Sequence, residues 1–193
     1  MYDILNQFLK IMSEELNEFT DISPYTDAEA VEALGKLADH PAVVEVSKAI
    51  FPDKEPEFLR KILKSVKSID EFQILVMNKA VEWVLSTTAH NFSYDGIGNL
   101  KKINGKFLAM SNHRDIILDP AITQVVLYRN AIPMTEIAVG SNLLTNKYIE
   151  YLIRSNRMIK VIRGINARQL YLSSQVLSKY IRECITSGRS SIW

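Results

Sequence analysis

The chain has 193 residues, 47% of them hydrophobic and 23% charged, which is enough to bury a core and excludes a wholly disordered or low-complexity polypeptide. No apolar run approaches the ~18 residues of a membrane span, and Met1-Tyr2-Asp3 lacks the basic start of a signal peptide. The net charge of +1 conceals an asymmetry: residues 1–90 carry nine basic and sixteen acidic side chains, a net of −7, whereas residues 91–193 carry fourteen and six, a net of +8.

Two readings of that asymmetry are open. The halves present two functional surfaces, the basic one suited to phosphate, a phosphorylated cofactor, nucleic acid or an anionic membrane, or they attract each other. The single cysteine, Cys184, cannot form an internal disulfide. It fits a reducing compartment and reads as a small apolar helix residue.

Residues 1–90 read as a helical region. Ile4, Phe8, Ile11 and Met12 recur at helical spacing. Ser23-Pro24 breaks that pattern. Thr26-Asp27-Ala28-Glu29 is a capping box that predicts a helix to about Asp39. Pro41 suits the first turn of another, ending near Phe51-Pro52. Glu57 to Val66 reads as a short basic helix. A second capping box, Ser68-Ile69-Asp70-Glu71, precedes a long helical run over Phe72 to Thr88, with Trp83 expected in the core.

The texture changes near His90. Asn91 to Asp95 reads as a short strand, Asn104-Gly105 as a tight turn, and Phe107 to Met110 as an apolar strand. A helix over about Ile117 to Arg129, a strand over Thr135 to Gly140, and a helix around Lys147 to Ser155 follow. Next come a strand over Met158 to Arg163, a helix from about Ala167 to Thr186, and a strand beginning at Ser190. This alternation predicts an α/β fold: an N-terminal helical region over 1–90, then a mostly parallel sheet with covering helices over 91–193. Such sheets carry their chemistry at the carboxyl ends of the strands. A chain that stops on Ile192-Trp193 at a strand start also predicts a fragment, incomplete at the C-terminus.

The segment Ser111-Asn112-His113-Arg114-Asp115-Ile116-Ile117-Leu118-Asp119 places a histidine just past an apolar strand with two carboxylates nearby. An imidazole can take a proton from a hydroxyl if a carboxylate fixes its tautomer and steadies the imidazolium. Spacing alone leaves Asp119 and Asp115 both open as that partner, and a plain turn histidine open beside them. His40, before Pro41, and His90, at a helix end, read as structural. Gly96-Ile97-Gly98 lacks the third glycine of a dinucleotide fingerprint. Lys101-Lys102 reads as a solvated turn. Lys and Arg are dispersed without interleaved aromatics, which argues against nucleic-acid binding.

Asn112-His113 followed by Asp119 resembles the first motif of the glycerolipid acyltransferase superfamily, the glycerol-3-phosphate and 1-acyl-glycerol-3-phosphate acyltransferases. The usual spacing is one residue shorter. The longer form, together with Thr135 to Asn142, resembles a Bacteroidetes-type subgroup over much of residues 105–193. Met158 to Gly164 is similar to the second motif, with Arg163 as its arginine. The third motif, containing Glu-Gly, would follow the strand that begins near Ser191, beyond Trp193.

The resemblance implies an O-acyltransferase of phospholipid synthesis. It implies His113 as general base, Asp119 as its orienting acid with Asp115 as competitor, and Arg163, with Arg114 and Asn112, on the acceptor. It implies acyl-coenzyme A or acyl carrier protein as donor and (acyl)glycerol-3-phosphate as acceptor. It implies no tightly bound cofactor, no metal and no nucleic acid, and a cytoplasmic location, peripheral at the inner face of the membrane. The alternatives are an acyltransferase-like fragment without turnover that binds anionic lipid or acyl carrier protein, and acyl transfer to a non-glycerol lipid.

Overall fold

The structure is a computed structural model and describes residues 18–164 and 166–193; the stripe Ile4, Phe8, Ile11 and Met12 lies outside the described residues. Among the described residues the first part is built of helices. Helix α1 (Asp27–Ala38) begins at the predicted capping box: the Glu29 amide donates to Thr26 Oγ1 at 3.3 Å, and the Thr26 amide donates to Glu29 Oε2 at 2.8 Å. Its apolar side, Ala30, Ala33, Leu34 and Ala38, is buried. Helix α2 (Ala42–Ile50) follows Pro41, and α3 (Phe58–Ser65) packs Leu59 and Leu63 against α1. Helix α4 (Ile69–Phe72) starts at Ser68, whose hydroxyl accepts from the Glu71 amide. These helices close a core of Leu34, Val43, Leu63, Val66, Phe72 and Val76.

The long run predicted over Phe72 to Thr88 is helical but not uniform. Gln73–Met77 is a π-turn, and a regular helix α5 (Asn78–Thr88) resumes after it. The expectation for Trp83 is corrected: it is 36% exposed on α5, whose buried residues are Asn78 and Leu85. His40 is structural as expected, with Nδ1 accepting from the Ala42 amide at 3.2 Å.

The second part is the predicted alternation in reduced form. Helix α6 (Ile97–Leu100) is one turn. Helix α7 (Leu118–Arg129), strand β1 (Ile137–Gly140), helix α8 (Lys147–Arg154), strand β2 (Met158–Val161) and helix α9 (Ala167–Thr186) follow. Strands β1 and β2 pair in parallel with Ile137 opposite Met158. The segments around Leu108 and Ile192 join through single parallel bridges, Leu108 to Ile192 and Glu136 to Ile192. Residues 191–193 therefore run between residues 107–109 and β1. Ala109 donates to Ile192 O at 2.8 Å, and Trp193 donates to Glu136 O at 2.8 Å. The fold is mixed α/β, mostly helical, with a small parallel sheet.

The strand expectations are corrected at several points: Phe107 to Met110 and the segment from Ser190 form only single bridges, at Leu108 and Ile192. Asn91 to Asp95 is not a strand. Its side chains anchor on α7 instead: Phe92 lies under the Arg129 guanidinium at 5.6 Å, and Asn130 donates to Tyr94 Oη at 3.1 Å. Thr135 stays outside β1 because the Gln124 side chain satisfies it twice, at 2.9 Å each way.

Beneath the sheet, Phe19, Ile22, Ile159, Tyr180, Cys184 and Ile192 form a second core. Buried Glu136 accepts hydrogen bonds there from Tyr180 Oη at 2.6 Å and Ser190 Oγ at 2.5 Å, tying α9 to the bridged segment at 190–193. The attraction between halves is visible in ion pairs that cross it: Arg129 with Glu82, Arg157 with Asp70, Lys160 with Asp21, and Lys179 with Glu18.

Candidate functional site

The sheet strands β1 and β2 run in the same direction, so their carboxyl ends deliver their loops to one edge. Ala109 leads into the loop that carries His113. Trp193 ends beside it, with its ring 6.0 Å from the His113 ring in an edge-to-face arrangement. Gly140 leads into Ser141 and Asn142, and Val161 leads to Arg163. His113, Asn142, Arg163 and Trp193 line the same cleft, which has a volume of about 770 Å³.

The His113 loop is organised by two carboxylates with separate roles. Asp119, in the first turn of α7, accepts on Oδ2 from the backbone amides of Arg114 at 2.6 Å and Asp115 at 2.9 Å. The same Oδ2 faces His113 Nδ1 at 3.5 Å. The amides of Asp115 and Arg114 hold the Asp119 carboxyl below its ordinary range, so it is an anion at neutral pH. Asp115 closes the turn that starts α7: its Oδ1 accepts from the amides of Ile117 at 2.9 Å and Leu118 at 2.8 Å. Of the two carboxylates that spacing left open, Asp119 is the one set against the imidazole.

Asn112 and Arg114 lie on the same loop and are exposed; neither lines the cleft. Arg163 does line it. Its backbone amide donates to Ser141 Oγ at 2.9 Å, and the chain turns away at Gly164, whose φ of +74° favours glycine. Gly140 matters for a different reason. A side chain there would stand 3.1 Å from Arg163 Nε and collide with Asn142 Oδ1, so its small size makes room for the arginine. Among the described residues the Arg163 side chain forms no ion pair with a carboxylate.

Behind this polar mouth the cleft is mainly apolar. Helices α5, α7 and α8 wall it with residues such as Val81, Val125 and Ile153, and β1 supplies Ile137 and Val139. The slot is thus apolar within, while its mouth presents an imidazole and a guanidinium. Cys184 has no part in it. Its thiol is buried in the second core, and burial pushes its pKa up.

The sequence reading did not single out Gln73, Asn78, Asn142 or Asn156 as site residues, yet all four line the cleft. For Gln73 and Asn78 a signal existed: they are polar residues on the buried side of an otherwise apolar helical run. Asn142 and Asn156 sit in connections, where nothing local distinguishes them. Among the described residues no cluster of His, Cys, Asp and Glu is arranged to hold a metal ion. Comparison with protein-family models, curated proteins and solved structures finds no match to the chain.

Proposed function

We propose that the chain is an O-acyltransferase that moves a fatty acyl group from acyl-coenzyme A or acyl carrier protein to a hydroxyl of (acyl)glycerol-3-phosphate, as a step in phospholipid synthesis. The observation that carries this reading is that His113, backed by Asp119, and Arg163 line one mainly apolar cleft. His113 Nδ1 faces Asp119, which leaves Nε2 to accept the proton of the acceptor hydroxyl. The oxygen attacks the thioester carbonyl, the carbon–sulfur bond breaks, and the imidazolium returns its proton to the leaving thiolate. The products are an ester and a free thiol. Asp119, already ionised, steadies the imidazolium between the two proton transfers. Arg163 offers a two-pronged donor for the acceptor phosphate, whereas Arg114 and Asn112, outside the cleft, would meet only a part of the acceptor that projects from its mouth.

The reading places the protein at a membrane surface, on the cytoplasmic side. Among the described residues no helix is long and apolar enough to cross a membrane. Met110, Ile116 and Ile117, on the loop that carries His113, are 89%, 55% and 70% exposed, which suits contact with lipid at the mouth of the cleft.

The test is transfer of radiolabelled acyl groups to glycerol-3-phosphate and to its 1-acyl form, with both donors, by the wild-type chain and by His113→Ala. Loss of a general base lowers the rate about 10²–10⁴-fold. His113 is half exposed, so melting should be unchanged. Transfer that survives in His113→Ala removes the base assignment. A folded wild-type chain that transfers nothing, yet still binds acyl carrier protein or anionic vesicles, favours binding without turnover.

A further inference from the structure

The two strands of the sheet deliver a matched pair of side chains to the mouth of the cleft. Gly140 on β1 stands opposite Val161 on β2, and Asn142 and Arg163 each lie two residues beyond that pair. The two loops are tied together, since the Arg163 amide donates to Ser141 Oγ at 2.9 Å. Gly140 lets the side chains meet. A Cβ there would stand 3.1 Å from Arg163 Nε and 3.3 Å from Arg163 Cδ, and would collide with Asn142 Oδ1. The carboxamide and the guanidinium therefore rest side by side against one bare Cα, and both line the cleft.

Both residues are exposed, so a ligand can reach them. Among the described residues neither side chain forms a hydrogen bond or an ion pair. The carboxylates at the mouth are already held, because Asp115 and Asp119 each accept from two backbone amides. An arginine fork presents two parallel N–H donors, which match two oxygens. A carboxylate has only two to offer. A phosphate monoester has three terminal oxygens, so one is left over. Asn142 turns its Oδ1 onto Gly140, which leaves Nδ2 as a neutral donor beside the fork.

We propose that Asn142 completes the anion subsite begun by Arg163 and selects a phosphate ester over a carboxylate at the acceptor position. Arg163 takes two terminal oxygens of the phosphate, and Asn142 Nδ2 donates to the third. The proposal rests on the acyl-transfer reading, in which that phosphate belongs to the acceptor. A carboxylate acceptor such as glycerate is spanned by the fork and gains nothing from Asn142. The charge that attracts either anion thus sits on Arg163, and the discrimination between them sits on a neutral side chain.

The experiment is direct binding, independent of turnover, of glycerol-3-phosphate, inorganic phosphate and glycerate to the wild-type chain, Asn142→Ala and Asn142→Asp. Nuclear magnetic resonance follows it through the backbone and side-chain amide signals. The wild type should bind both phosphates about tenfold or more tightly than glycerate, the effect of one charge-assisted hydrogen bond. Asn142→Ala should lose about tenfold toward both phosphates and keep its affinity for glycerate. Asn142→Asp should lose more, because it sets a carboxylate against the phosphate. Both variants should melt with the wild type, since the side chain is exposed. A preference for phosphate that is unchanged in Asn142→Ala comes from charge alone; it overturns the role of Asn142 and leaves the acyl-transfer reading standing. Equal wild-type affinity for glycerate and glycerol-3-phosphate overturns the selection. A wild type that binds inorganic phosphate through Asn142 but not glycerol-3-phosphate removes the acyl-transfer reading and the acceptor role of the subsite together. A wild type that binds none of the three anions removes the subsite outright.

Discussion

Asp115 and Asp119 lie four residues apart, and the backbone gives them different tasks. Asp119 receives two amides from the His113 loop and faces the imidazole; Asp115 closes the turn ahead of α7. On the proposed acyl-transfer reading, Asp119→Asn should lower the transfer rate by about 10²-fold or more, because the amide can neither fix the tautomer nor steady the imidazolium. Asp115→Asn keeps an oxygen for the same turn and should cost far less; steady-state kinetics on the two variants separates them. Both carboxyls sit below their ordinary value of 3.8, Asp115 through the Leu118 and Ile117 amides and Asp119 through the Asp115 and Arg114 amides. A depressed carboxyl stabilises the folded loop above its ordinary value and loses that contribution as the pH falls through the folded-state value. Amide protection at Arg114, Ile117 and Leu118, taken relative to the intrinsic exchange rate at each pH, should thus hold from neutral pH downward and fall only below about pH 4. Protection that is already lost between neutrality and that range would show that the carboxylates do not hold the loop. The residue types of this loop were legible in the sequence. Which carboxylate faces His113 was not, because that depends on where α7 begins and which amides are left open.

At the scale of elements, α9 and the bridged segment at 190–193 are joined through Glu136, a residue buried at 5% exposure. Burial and the neighbouring Glu136 push the Tyr180 phenol far above its ordinary range, so it remains a hydrogen-bond donor throughout the working pH range. Tyr180→Phe removes one of the two side-chain donors to a buried carboxylate and should destabilise the fold by about 1.5–3 kcal/mol, read by urea denaturation. A loss within the scatter of surface substitutions would mean that Glu136 finds another donor. Helix positions were well marked in the sequence because caps are local: Thr26, Ser68 and the spacing of apolar residues are enough. The strands were less distinct. Asn91 to Asp95 has strand-like composition but no edge to pair with, and pairing partners lie far along the chain. The π-turn at Gln73–Met77 left no mark in composition at all. It depends on Gln73 reaching Asn156, 83 residues later.

For the whole molecule, the opposed charges of the two halves are partly consumed in the ion pairs that join them. The asymmetry therefore serves cohesion, and the surface left for an anionic partner is smaller than a net of +8 suggests. Arg114 and the exposed Met110, Ile116 and Ile117 remain at the mouth of the cleft. Vesicles rich in anionic lipid should co-sediment the chain at low salt, and high salt should weaken but not abolish the association, since apolar insertion is not screened. Met110→Ser with Ile117→Ser should remove the salt-resistant fraction. Binding that vanishes entirely at high salt would leave charge as its only source.

The order of segments across the sheet has a consequence for how the protein is made. Residues 191–193 lie between residues 107–109 and β1, so a segment synthesised later joins two that were made long before. Until it emerges from the ribosome, the Leu108 segment has no strand to pair with, β1 keeps one edge open, and His113 lacks the Trp193 ring beside it. The helices around Leu34 and Phe72 can assemble during this interval, because their contacts are close in sequence. The sheet cannot, and its open edges are the kind that pair with other chains. Misassembly should therefore concentrate in the time between completion of β2 and arrival of Ile192, and a pause or chaperone acting in that window would govern yield more than the stability of the finished fold.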